Sequence, residues 1–204
     1  EERQYWFSEG FTEYFTLKNS LRYGLIDTDG FLEGLNNFAS EHYSSPIRTM
    51  PNDSLNYERF WNGGKDWEKL PYRRGCLFAF HLDNHIRERS KGKQNLEQLM
   101  REILAEMRKN PDQKLDHVFF QKILQPYGGK ASLKHFQTFI ERGKPIDFRK
   151  TKLPAGLEVK VKDVTMRYGP SRDIITKTEV LKNIPVFRLK SGANKETLRE
   201  ALLK

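Results

Sequence analysis

Apolar residues at Trp6, Phe7, Phe11, Tyr14, Phe15, Leu17 and Leu21 recur at the three-and-four spacing of one helix face. The run stops in "YGLIDTDGF", where Gly24, Asp27 and Gly30 break the helical pattern. A second amphipathic stretch, from about Asp29 to Tyr43, is predicted to bury Phe31, Leu32, Leu35 and Phe38. The period then fails. "SSPIRTMPNDSLNYERFWNGGKDWEKLP" mixes prolines, a Gly-Gly pair and Asn and Asp residues, and it reads as a long ordered loop, a kind of segment that in compact domains is usually functional. Helical spacing resumes from Tyr72 to about Arg89 with Leu77, Phe78, Phe80, Leu82 and Ile86, until "SKGK" ends it. Three shorter helices are predicted at Leu96 to Met107, Asp116 to Leu124 and Ser132 to Ile140. Asn95 and Ser132 are placed as N-caps of the first and last, since their side-chain oxygens can accept from free backbone N–H groups.

Beyond "RGKPIDF" the pattern changes character. "LEVKVKDVTMRY" alternates, with Val159, Val161 and Val164 among lysines, and "IPVFRLK" has strand composition before a last helical stretch, Lys195 to Leu203. The expectation is a mainly α protein: a helical bundle over residues 1–143 and, past a boundary near Gly143, a small α+β appendage over residues 144–204. Lys160, Lys162, Lys177, Lys182, Arg188 and Lys190 should form a solvated face of that basic tail. No internal repeat or low-complexity tract is present.

Composition narrows the class. A chain of 204 residues with 37% hydrophobic and 12% aromatic residues can bury a genuine core, while 31% charged residues and a mean hydropathy of -0.76 give it a very polar surface. The net charge of +9 invites a nucleic-acid partner, but the basic residues are intermixed with acids through the first 140 positions, which argues against one. No run approaches the eighteen apolar residues of a membrane span. The single cysteine, Cys76, has no partner for an internal disulfide and is expected to pack as a small hydrophobe. The chain enters a helix almost at once and without an initiator methionine, as an excised piece of a longer protein would. The compartment, cytoplasmic or periplasmic, and the oligomeric state are left open.

The chemistry worth following begins in "QYWFSEGFTEYF", where Glu9 stands inside a block of aromatics and is followed by Gly10. A carboxylate desolvated there without a partner costs several kcal/mol. An arginine, a set of backbone N–H groups or a metal ion would make the position tolerable; the plainer alternative is a surface-facing acid on an amphipathic helix. Glu13 lies one turn later on the same face. "HLDNH" offers a competing arrangement: His81 and His85 at i and i+4 with Asp83 between them have a spacing that zinc accepts, and an independent site including Glu9 is conceivable. His42, His117 and His135 are isolated on predicted helices and are read as surface or boundary residues.

"WFSEGFTEYF" resembles the stretch that follows the zinc-binding motif in gluzincin metallopeptidases, and in its wording the glycyl aminopeptidase family, the sixty-first metallopeptidase family. "LRYGLID", "SPIRTMPNDSLNYERFW", "LPYRRGCLFAFHLDNHIRERSKGKQNLEQLMREI" and "FQTFIERGKPIDFRKTKLPAGLEV" continue the resemblance in order, over about residues 4 to 159. It implies the C-terminal part of a thermolysin-like catalytic region, with Glu9 as third protein ligand of a catalytic zinc, Gly10 allowing close approach and Glu13 as a supporting acid. Tyr72 would hydrogen-bond the oxyanion of the tetrahedral intermediate, and the substrate would be a peptide with a free N-terminus, with glycine or alanine preferred. In such sites two histidines and the general-base Glu come from a His-Glu-x-x-His helix. That motif occurs nowhere in these 204 residues, so the chain alone is expected to be inactive and to bind zinc negligibly at Glu9. Arg73 and Arg74 stand where the family pattern has a lysine before the glycine, which leaves the cation of the site unassigned. A PDZ-type domain often follows "GLEV" in the family, but the roughly 45 remaining residues are short for one. A second hypothesis is a non-catalytic interaction module in which the peptidase residues are vestigial.

Overall fold

A computed structural model describes residues 2–168 and 177–204. The first apolar stripe forms α1 (Tyr5–Arg22) and the second α2 (Thr28–Ser44), whose start is fixed by Asp27, a side chain that accepts from the Gly30 N–H. The segment read as loop holds more structure than its composition suggests. Asn56 caps a short helix, α3 (Tyr57–Asn62), by accepting from the Arg59 N–H. Gly64, with a φ of 86°, then admits α4 (Lys65–Ser90), which begins ahead of the expected start at Tyr72 and runs through Pro71. Proline inside a helix loses one backbone hydrogen bond and crowds the carbonyl four residues back. Here Leu70 and Pro71 are buried, which offsets that cost, and Asp66 and Glu68 in the first turn favour the positive end of the helix dipole.

α5 (Leu96–Lys109) starts where expected, with Asn95 and Gln98 forming a reciprocal capping box. α6 (His117–Phe136) joins two of the predicted helices into one element that kinks at Gly129 (φ 66°, ψ -168°) and continues into a π-helical turn, Gln137–Glu141. Ser132 is not a cap. It lies past the kink, and its hydroxyl donates to the Gly129 carbonyl at 2.8 Å.

The C-terminal segment is an antiparallel pair, β1 (Leu157–Tyr168) with β2 (Lys177–Leu189), followed by α7 (Lys195–Leu203). β2 starts earlier than the apolar run at Ile184 because Lys177–Val180 are exposed and held by pairing rather than by burial, while Lys182 and Asn183 sit at a register shift and bind the Asp163 side chain. Val159 faces Phe187 and Val161 faces Pro185. The Asn36 side chain on α2 both accepts from the Phe187 N–H and donates to its carbonyl, so α2 covers the outer edge of β2. Pro185, two residues away, presents its nitrogen to the same outer side and forfeits no ladder bond. The six basic residues expected on the solvated face are exposed.

The core forms where α1 crosses α4. A Cβ at Gly75 would lie 1.9 Å from the Trp6 carbonyl oxygen, and one at Gly10 2.4 Å from the Gly75 Cα, so these two glycines are what allow the helices to touch backbone to backbone. Trp6 packs edge-on against Phe11, Phe78 and Phe120 beside the crossing. Cys76 is buried next to Gly75, as a small hydrophobe should be. Phe187 meets Phe80 and Phe148, and Leu198 and Leu202 of α7 join the same cluster. Arg87 of α4 donates to the carbonyls of Ala201 and Leu202, a cation at the negative end of α7.

Candidate active site

The Gly10–Gly75 crossing sets the residue before Gly10 beside the residue one turn before Gly75. Tyr72 of α4 lies beside the Glu9 carboxylate of α1, close enough for that carboxylate to act on the phenol, and Ser8 Oγ donates to Glu9 Oε1 at 3.2 Å. The Tyr72 phenol is pushed above its ordinary pKa, first by burial, then by the neighbouring Glu9 carboxylate and by Glu68. It therefore keeps its proton at neutral pH and remains a donor. Glu13 is half-buried one turn along α1; burial raises its pKa, Lys69 opposes the shift, and Glu9 adds to it. Lys69 Nζ sits 5.0 Å from the centroid of the Tyr72 ring. The structure thus brings together Glu9, Glu13 and Tyr72.

Arg73 and Arg74 point elsewhere. Arg73 binds Glu41 at 2.9 Å and Asp66 at 3.2 Å, whereas Arg74 donates to the carbonyls of Met50 at 2.6 Å and Arg48 at 3.2 Å. Burial holds the Arg74 guanidinium down at a pKa of about 10.

A half-buried carboxylate with oxygen lone pairs to spare fits one ligand position of a catalytic zinc. Among the described residues no group of three or more His, Cys, Asp and Glu could hold a metal ion, so the donor set is incomplete among them.

His81 and His85 lie apart from Glu9. His81 is nine residues beyond Tyr72 on α4, about 13.5 Å along the axis and half a turn round it. Instead of Glu9 they meet His135 of α6, which is not the isolated residue its sequence context suggested. His81 Nε2 is 3.1 Å from His135 Nδ1, His81 Nδ1 is 3.0 Å from Thr151 Oγ1, and His85 Nε2 donates to the Gly128 carbonyl at 3.1 Å. The His81 and His85 rings are parallel with centroids 6.5 Å apart. They floor a cavity of about 410 Å³ that is also lined by Thr138, Phe139 and Thr151. Burial first, then the neighbouring histidines, lowers the His81 pKa to about 3; His135 is lowered to about 4, by burial, His85 and Lys134.

Of the other two histidines, His42 differs from expectation, whereas His117 is a boundary residue. His42 is buried beneath Arg74, Arg73 and Arg48, and burial followed by those charges lowers its pKa to about 3. His117, at the start of α6, packs on Trp6 and Phe136 with Nδ1 3.4 Å from Glu141.

Asp83 does not serve the histidines flanking it. It turns inward to accept from Tyr14 at 2.5 Å, Lys18 at 3.2 Å, Arg87 at 2.7 Å and the Leu96 N–H at 2.9 Å. Burial alone would raise its pKa, but Lys18 and Arg87 with the two hydrogen bonds outweigh it and hold the carboxyl below the usual range. The sequence signal for this network was available: Lys18 is a lone cation on the buried stripe of α1, and Asp83 a lone acid in a buried run of α4.

No helix among the described residues is long and apolar enough to cross a membrane. No curated protein matches the chain. Its first 69 residues, which include Glu9, Gly10, Glu13 and Lys69 and end three positions before Tyr72, match the M61 glycyl aminopeptidase family and make this a peptidase-like chain.

Proposed function

We propose that this chain contributes Glu9 as one zinc ligand, and Tyr72 as the oxyanion-binding hydroxyl, to an aminopeptidase site whose two histidines and general base come from residues outside it. The supporting observation is the close crossing of α1 and α4 at Gly10 and Gly75, which sets Tyr72 beside Glu9. When bound, zinc supplies Lewis acidity to the scissile carbonyl and lowers the pKa of water. Glu9 offers its carboxylate to the cation from a rotamer restrained by Ser8. Tyr72, kept protonated by burial and by the adjacent acid, donates to the oxygen that gains charge as the carbonyl is attacked; such a donor is worth about 2.7–4 kcal/mol in the transition state. Glu13 adds negative charge behind Glu9 without reaching a ligand position of its own. Residues 1–143 would form the catalytic part and residues 144–204 its appendage. In the full-length protein, Glu9→Ala should abolish turnover of an aminoacyl substrate with a free α-amine. Tyr72→Phe should lower kcat about 10²–10³-fold with little change in KM. Turnover that survives Glu9→Ala overturns the reading and favours an interaction module built on a peptidase-like frame.

A further inference from the structure

The two cations directly before Gly75 are arginines committed to other partners. Arg73 is paired with Glu41 and Asp66, and Arg74 is buried against the carbonyls of Met50 and Arg48. Neither reaches the Tyr72 ring. The cation that does is Lys69, one turn earlier on the same face of α4, with Nζ 5.0 Å from the ring centroid. Its ion pair, to Glu68 at 2.6 Å, joins two half-exposed neighbours and is a weak tether. With its side chain 38% exposed, Lys69 covers the ring and still faces the site. On the other side of the crossing its charge acts on Glu13.

We propose that Lys69 is the positioning residue of this site: its ammonium, seated on the face of the Tyr72 ring, fixes the phenol beside Glu9 so that the hydroxyl can serve the oxygen that develops charge there. The inference rests on the reading of Glu9 and Tyr72 as parts of a peptidase site. The geometry gives Lys69 no contact with reacting atoms, so it acts through Tyr72. Its effect is confined to the orientation of one ring, for which a partly exposed cation–aromatic contact accounts for about 2- to 5-fold in rate.

The experiment uses the full-length protein and five variants. Lys69→Met keeps the apolar stem and removes the charge; kcat should fall about 2- to 5-fold with KM unchanged. Lys69→Arg, whose guanidinium also sits on aromatic faces, should restore it. In a Tyr72→Phe background, Lys69→Met should cost nothing further, because the hydroxyl it aims is gone. Wild-type kcat in Lys69→Met, or the same loss with and without the Tyr72 hydroxyl, overturns the proposal. Glu9→Ala separates the two levels: if it leaves turnover intact the site reading itself fails, whereas if Glu9→Ala and Tyr72→Phe are impaired and Lys69→Met is not, only the role of Lys69 falls.

Discussion

Asp83 and Glu9 are acids placed in apolar runs of the two helices that cross at the centre of the molecule, and their surroundings differ in kind. Asp83 is 0% exposed, and its oxygens accept from Tyr14, Lys18, Arg87 and the Leu96 N–H. It is saturated by groups of its own chain. Glu9 is half-buried and accepts from Ser8 with Tyr72 beside it, while its other neighbours include another acid, Glu13. An acid whose partners are all internal holds helices together; an acid that keeps acceptor capacity beside a like charge is suited to a cation from outside. The contrast separates a structural carboxylate from a candidate ligand without reference to any family.

The largest expected effect comes from breaking the saturated side of this comparison. Asp83→Ala leaves Lys18 buried, with Glu97 at 3.1 Å as its remaining partner, and strips Arg87 of its carboxylate. Removing one partner of a buried ion pair costs about 3–5 kcal/mol, which denaturant unfolding of the chain should register as a large drop in midpoint. Replacing both members, Lys18→Met with Asp83→Leu, should cost clearly less, because the buried charge disappears with its partner. Equal losses in the single and double variants would show that packing, not charge, governs the position.

Acid should act next, and with a sign fixed by the histidines. His42 and His81 have folded-state pKa values of about 3, below the unfolded value near 6.5, so between those limits the unfolded chain binds more protons. The stability they contribute is complete above about pH 6.5 and is lost as pH falls towards 3, by about 1.4 kcal/mol per pH unit for each. His135, half-exposed, adds less over the window from about 6.5 down to about 4. Asp83 enters only later: its lowered pKa means its contribution fades below about pH 3.9, as pH falls through the folded-state value. Unfolding measured from pH 7 to 4.5 should therefore steepen with acid, and His81→Gln should remove part of the slope. A slope unchanged by that substitution would mean that His81 titrates normally in the folded chain.

Which parts of this were legible in sequence follows from what each part depends on. The apolar spacing of α1, α2 and α5, the Asn95 cap and the alternation of β1 are local signals, and each element appears close to its expected place. α3 and the first turns of α4 were hidden because the Gly-Gly pair and Pro71 outweighed a cap at Asn56 and the burial of Leu70. The first half of β2 was hidden because its residues are polar on both faces and owe their conformation to β1. Within the candidate site, Glu9 stood out by its aromatic flanks, and its approach to Tyr72 required only that Gly10 and Gly75 meet. That His135 joins His81 and His85 depends on how α6 folds back on α4, a distance of 54 residues that no local pattern encodes. The inward turn of Asp83 is a choice of face, settled by Lys18, 65 residues away.

The smallest expected effect is the sharpest test of the comparison. In this chain Glu9→Ala removes a half-buried carboxylate whose donor, the Ser8 hydroxyl, and whose neighbour, the Tyr72 phenol, both retain access to water, Ser8 being exposed and Tyr72 half-buried. No buried charge is orphaned, and a repulsion with Glu13 is relieved, so the unfolding free energy should change by no more than about 0.5 kcal/mol. The relief has its own signature. Glu9 is one of the causes that raise the Glu13 pKa, so carboxyl NMR titration should place Glu13 lower in the variant than in the parent chain. A stability loss comparable to that of Asp83→Ala would make Glu9 a second structural acid, its approach to Tyr72 a helix staple, and the case for its holding a cation would then have lost its physical ground.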